Sequence, residues 1–90
     1  MNQKADRIPL RYPLQLLFKG GRRMLVRSLD VSASGILVES VFRVSVGSVV
    51  RIRAKHVPIF YGDAYVRQCV RKGLVYRIGL EFEVPLNSRF

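Results

Sequence analysis

The sequence predicts an all-β fold: a six-stranded antiparallel β-barrel with an extended N-terminal arm and little or no C-terminal helix. Three observations carry that prediction. Apolar residues recur at every second position, most clearly at Val50, Ile52 and Ala54 and at Tyr76, Ile78, Leu80 and Phe82. Short glycine turns, Lys19-Gly20-Gly21-Arg22 and Lys72-Gly73, separate such segments. No window has helical periodicity, and there is no internal repeat or low-complexity run.

The elements follow in chain order. Residues 1–12 are polar and basic, and Ile8-Pro9 and Tyr12-Pro13 each push the residue before proline out of the helical region, which predicts an extended arm. Pro13 to Phe18 predicts a first strand, which turns at the paired glycines into Arg23 to Leu29. The polar stretch Asp30 to Ser34 joins this hairpin to Gly35 to Ser40, a β-branched, apolar run. Val49 to Ala54 alternates with core on one side and Arg51, Arg53 and Lys55 on the other. Asp63 to Arg71 and Leu74 to Glu83 form the last hairpin, and 85–90 is a tail. Closing strands over 13–84 into a barrel removes exposed edges.

Ninety residues allow one core and one domain. Apolar residues make up 49% and charged residues 24%, the balance of a folded domain rather than a disordered tail. Sixteen Lys and Arg against six Asp and Glu give a net charge of +10, which points to an anionic partner. Twelve of the sixteen are Arg, whose planar fork favours shaped recognition of phosphate or a guanine edge over bulk attraction. Cys69 is the single cysteine, which excludes an internal disulfide and suits a reducing compartment. Neither a secretory leader nor a membrane span is predicted, so the expected location is the cytosol, as a free protein or as one domain of a larger one.

Catalysis has little to draw on. His56 is the single histidine and sits beside Val57-Pro58 in an expected loop. Cys and His lack metal-ligand spacing, and Asp30, Asp63, Glu81 and Glu83 are scattered, so no acid–base pair and no metal site are expected. Binding has more. Arg7 and Arg11 place two forks on the extended arm, where they either grip an anion or solubilise a terminus. Asp30-Val31-Ser32-Ala33-Ser34-Gly35 gathers a carboxylate, hydroxyls and a glycine in one turn, either to meet a ligand or to bond its own backbone. The residues alone leave both pairs of readings open.

Arg-x-x-x-Arg at 7 and 11, followed after about twenty residues by Asp-x-Ser-x-x-Gly at 30–35, resembles the PilZ domain family. Ala64-Tyr65-Val66-Arg67 and Tyr76-Arg77-Ile78-Gly79-Leu80-Glu81-Phe82 look like that family's last two strands, so the resemblance covers nearly the whole chain. It implies a six-stranded barrel that binds the bacterial second messenger cyclic di-GMP, needs no cofactor and catalyses nothing. Arg7 and Arg11 would grip guanine edges and phosphates, and Asp30 would accept from a guanine Watson–Crick edge. Ser32 would bond phosphate or base, and Gly35 would allow close backbone approach. Ser34 ranks lower because its place in the motif is variable. Ordering of the arm would then signal to a downstream protein or a covalently linked effector domain. The sequence departs from the pattern twice: Asp6 stands where many relatives carry a further arginine, and no helix is expected after the last strand. Two other readings remain. One is a nucleic-acid-binding barrel using Arg51, Arg53, Arg67 and Arg71 with Tyr12, Phe60, Tyr61 and Tyr65. The other is an adaptor of the same fold that works through protein contacts without nucleotide.

Overall fold

The computed structural model describes residues 7–54 and 62–86. His56, Phe60, Tyr61 and Asp6, singled out above, lie outside these residues, as do positions 87–90. The described strands are β1 (Ile8–Pro9), β2 (Pro13–Phe18), β3 (Arg23–Val31), β4 (Gly35–Ser40), β5 (Val49–Arg53), β6 (Gly62–Lys72) and β7 (Val75–Phe82). All neighbours are antiparallel in the order β3-β2-β5-β6-β7-β4, and β4 returns to β3 to close the six-stranded barrel. No α-helix occurs among the described residues. The six strands lie where the alternation placed them, and β1 is an addition to them.

Alternation explains the core. Leu14 and Leu16 on β2, Met24 and Val26 on β3, Ile36 and Val38 on β4, and Ile78 and Leu80 on β7 all point inward and are buried. Arg51 and Arg53 point outward from β5 as expected. β4 and β5 are not neighbours, so the chain between them crosses one end of the barrel, and Val44, 3% exposed, closes the core there. This end also holds the β2–β3 and β6–β7 turns. The opposite end holds the β3–β4 turn, the N-terminal arm and the segment after β7, whose Leu86 N–H donates to Ala33 C=O (2.8 Å) and whose side chain packs on the core.

Two departures from simple pairing matter for function. β3 has one residue more than β4 between the pairs Ser28–Val38 and Asp30–Leu37, a bulge at Leu29. Met24, Val26 and Ser28 face inward, so strict alternation would send Asp30 inward too; the bulge reverses the parity and turns Asp30 out. β6 does the same between Val66–Leu80 and Gln68–Gly79, leaving Arg67 and Gln68 together on the outer face.

β1 continues along the β3 edge that β2 occupies, with Ile8 opposite Val31 and Pro9 opposite Asp30. Ser28, 0% exposed, fills the gap between β1 and β2: its hydroxyl accepts from Tyr12 N–H (2.9 Å) and donates to Leu10 C=O (2.5 Å). The extended arm therefore begins against the barrel wall. Ser28→Ala strips a partner from both backbone groups, and urea unfolding should show a loss of about 2 kcal/mol, with faster amide exchange over residues 8–12. A loss within error of zero would mean that these groups find other partners.

Candidate ligand-binding site

The β3 bulge and the arm bring together residues that are distant in sequence. Arg7 Nε–H donates to Asp30 Oδ1 (2.7 Å), and Arg7 Nη2 lies 2.5 Å from the same oxygen. Arg7, but not Asp30, lines an open cavity of about 430 Å³ on the outer wall, within the size range of small-ligand sites. Arg7 and Ser34 form one side of it, Arg67 and Gln68 the other, and Gly35, Gly79 and Glu81 are among the residues between them.

The β3–β4 turn is closed by Ser32 N–H donating to Gly35 C=O (2.8 Å). The Ser32 hydroxyl has only long contacts, 3.4 Å to Ser34 Oγ and 3.4 Å to Gly35 O, so it is free to reorient toward a ligand. The cavity wall includes Ser34 and not Ser32. Gly35 has a packing reason for lacking a side chain. A Cβ there would meet the backbone of β7, 2.3 Å from Leu80 O. Gly79 makes room for Gln68, whose Cγ would lie 3.0 Å from a Cβ at position 79.

Charge in the cavity is internally matched. Arg7 pairs with Asp30, and Arg67 Nε donates to Glu81 Oε1 while its guanidinium lies 5.8 Å from the Tyr65 ring centre. The second pair is solvated and the first partly so: the side chains of Arg67 and Glu81 are 65% and 47% exposed, those of Arg7 and Asp30 41% and 25%. Solvated pairs of this kind contribute about 0–1 kcal/mol each, so an anion with several charge-assisted bonds to offer can displace them. Arg11 is exposed, has no hydrogen bond or ion pair among the described residues, and does not line the cavity.

Sequence reasoning thus placed Arg7, Asp30 and the serine turn in one region, while Arg67, Gln68, Gly79 and Glu81 entered it only with the structure. One signal was available: Arg67-Gln68 sets two polar residues side by side between Val66 and Cys69, a break in alternation that marks a bulge. Elsewhere, Arg51 pairs with Asp63 (3.0 Å) and Arg71 Nε–H donates to Gly73 C=O (3.0 Å), while Tyr12 packs against the core. Among the described residues no group of three or more His, Cys, Asp or Glu is placed to hold a metal, and no helix is long and apolar enough to cross a membrane.

A family model described as PilZ domain matches residues 2–89. Among solved structures, that of the Bacillus subtilis inhibitor of motility (MotI/DgrA) aligns with a TM-score of 0.73 at 18% identity, covering 89% of this chain and 42% of the other. The chain thus spans less than half of that protein, and the likeness is one of fold. No curated protein matches the chain in sequence.

Proposed function

The chain belongs to the PilZ domain family, a family of cyclic di-GMP receptors, and from that premise we propose that it is a receptor module for this dinucleotide, built around Arg7 and Asp30. The observation that carries the reading is their contact across twenty-three residues of sequence, made by an arginine that also lines a small-molecule-sized cavity.

Binding proceeds by exchange. A guanine Watson–Crick edge presents adjacent N–H donors, the pattern that the Arg7 fork presents to Asp30 in the free protein. The guanine takes over the carboxylate, and Arg7, released, turns its fork to a phosphate. Arg11 has no partner among the described residues to give up and supplies the second fork. Ser32 and Ser34 contribute hydroxyls, and Gln68 an amide that can donate or accept. Gly35 holds the turn against β7, so that its neighbours meet the ligand. The arm moves with Arg7, and its rearrangement is the signal shown to a cytosolic partner or linked domain.

Calorimetric titration of the full chain with cyclic di-GMP tests the reading. Micromolar or tighter binding is expected, and its stoichiometry reports what Asp6 does to a second nucleotide; absence of heat and of any chemical-shift change would overturn the proposal. Glu81→Gln gives a finer check. It removes a carboxylate from the cavity and frees Arg67, so affinity should rise about threefold, equivalent to one solvated ion pair. A fall in affinity would mean that Glu81 itself holds the ligand.

A further inference from the structure

Exposed apolar side chains collect at the end of the barrel away from the ligand cavity. Among the described residues nine large hydrophobic side chains are exposed; of these, Ile8 and Val84 lie at the ligand end, and the other seven are on the far turns, the crossing segment or the strand halves that lead to them. Leu74, at the β6–β7 turn, is 89% exposed. Val41, Phe42 and Val46 project from the segment that crosses the barrel end, each 63% exposed. Val41 follows Ser40, whose partner on β7 is Tyr76, and Leu74 comes two residues before Tyr76, so the two groups stand at the same end of the β4–β7 pair.

The backbone beneath the patch is anchored. The Ser40 hydroxyl accepts from Phe42 N–H (2.9 Å) and donates to Phe42 C=O (2.9 Å), Val44 is buried, and Gly47 N–H donates to Val66 C=O (2.8 Å). An aromatic ring is thus held out in water on a fixed support. That costs solubility without any gain to the core, because Val44 already closes it.

Charge says what covers this end. Arg43, Arg71 and Lys72 adjoin the apolar residues in sequence, and Lys19, Arg22 and Arg23 extend the cationic rim across the β2–β3 turn. Among the described carboxylates, Asp30, Glu81 and Glu83 belong to the strand ends at the ligand side, while Glu39 sits near the patch and Asp63, paired with Arg51, lines the same groove as Lys19 and Arg22. Val41, Phe42 and Leu74 line neither the ligand cavity nor the open groove of about 940 Å³ between β2 and β5, which Val49, Lys19 and Arg22 do line. Apolar side chains ringed by arginine and lysine have the form that an anionic lipid surface takes up: apolar groups enter the acyl boundary while cations meet the headgroups.

We infer that this end of the barrel docks on an anionic membrane surface, with Phe42 and Leu74 inserting and Arg43, Arg71 and Lys72 at headgroup level. Strands β3, β4 and β7 run from this surface to the ligand cavity, about 20 Å away along six residues of β4, so the arm and cavity face the cytosol when the tip is docked.

Flotation of the full chain with phosphatidylcholine–phosphatidylserine vesicles, without nucleotide, tests this independently of the ligand reading. The wild type should float with these vesicles and not with phosphatidylcholine alone. Leu74→Asp, and separately Phe42→Asp, should each weaken binding about tenfold or more, as should the Arg71→Glu/Lys72→Glu pair. These side chains are exposed, so unchanged melting curves establish that the variants are folded. No binding by the wild type would overturn the inference and leave the face to a protein partner. Binding that survives both apolar substitutions and vanishes with moderate salt would also overturn it, since a chain of +10 charge attracts any anionic surface.

Discussion

Asp30→Ala is expected to weaken cyclic di-GMP binding about a hundredfold, or roughly 3 kcal/mol, while changing stability by less than about 1 kcal/mol. The two effects separate because the Arg7–Asp30 pair is partly solvated and its loss costs the fold little, whereas in the proposed bound state the carboxylate accepts two donors of the guanine edge. A charge-assisted hydrogen bond contributes about 1.5–3 kcal/mol, so two of them outweigh the fraction of a kcal/mol gained by no longer having to part Arg7 from Asp30. Asp30→Asn makes the sign of the effect decisive. Asparagine keeps the shape and frees Arg7, but it sets an NH2 against the donors of the guanine edge. If guanine sits on Asp30, calorimetry will show Asn binding nearly as weakly as Ala. If Asp30 serves only to hold Arg7 away from the ligand, both variants will bind more tightly than wild type, and the exchange mechanism is wrong.

The strands were legible because period-two alternation survives wherever the chain is regular. Val50-Arg51-Ile52-Arg53 carries its own assignment, and so does Tyr76 to Phe82. The site was legible only in part, because it is built where regularity breaks. Asp30 faces outward through the Leu29 bulge, and nothing within Ser28-Leu29-Asp30-Val31 shows which residue is the extra one until β4 is alongside. Arg67 and Gln68 reach the cavity through a second bulge, and Glu81 through its place opposite Gly35 on β7. Arg11, equal to Arg7 on paper, differs from it in space, since one is tied to Asp30 and the other is untied and off the cavity wall. β1 escaped notice because two residues carry no periodicity. The buried Ser28 hydroxyl that joins it to β2 looks in sequence like any polar residue in a strand.

Gly35→Ala should be the most damaging single-methyl change in the molecule, lowering stability by about 3 kcal/mol and the melting temperature by roughly 15 °C. The reason is space rather than backbone conformation, since Gly35 is absent from the glycines with positive φ. The added Cβ would lie 2.3 Å from Leu80 O, 3.3 Å from Leu80 C and 3.4 Å from Glu81 Cα, all backbone atoms of β7 that no rotamer change can move. Relief requires β4 and β7 to separate at the Gly35–Glu81 pair, which also disturbs the Ser32–Gly35 bond that closes the β3–β4 turn and the bond from Phe82 N–H to Ser34 C=O (2.9 Å). Thermal unfolding without ligand isolates this scaffold effect. A loss below about 1 kcal/mol would show that β7 yields easily, and would return Gly35 to the role its motif suggests, close approach of ligand to backbone. With the expected loss, saturating cyclic di-GMP still discriminates. If Gly35 acts by holding the turn, most of the ligand-induced rise in melting temperature will persist in the fraction that folds; if ligand rests on its Cα, that rise will disappear.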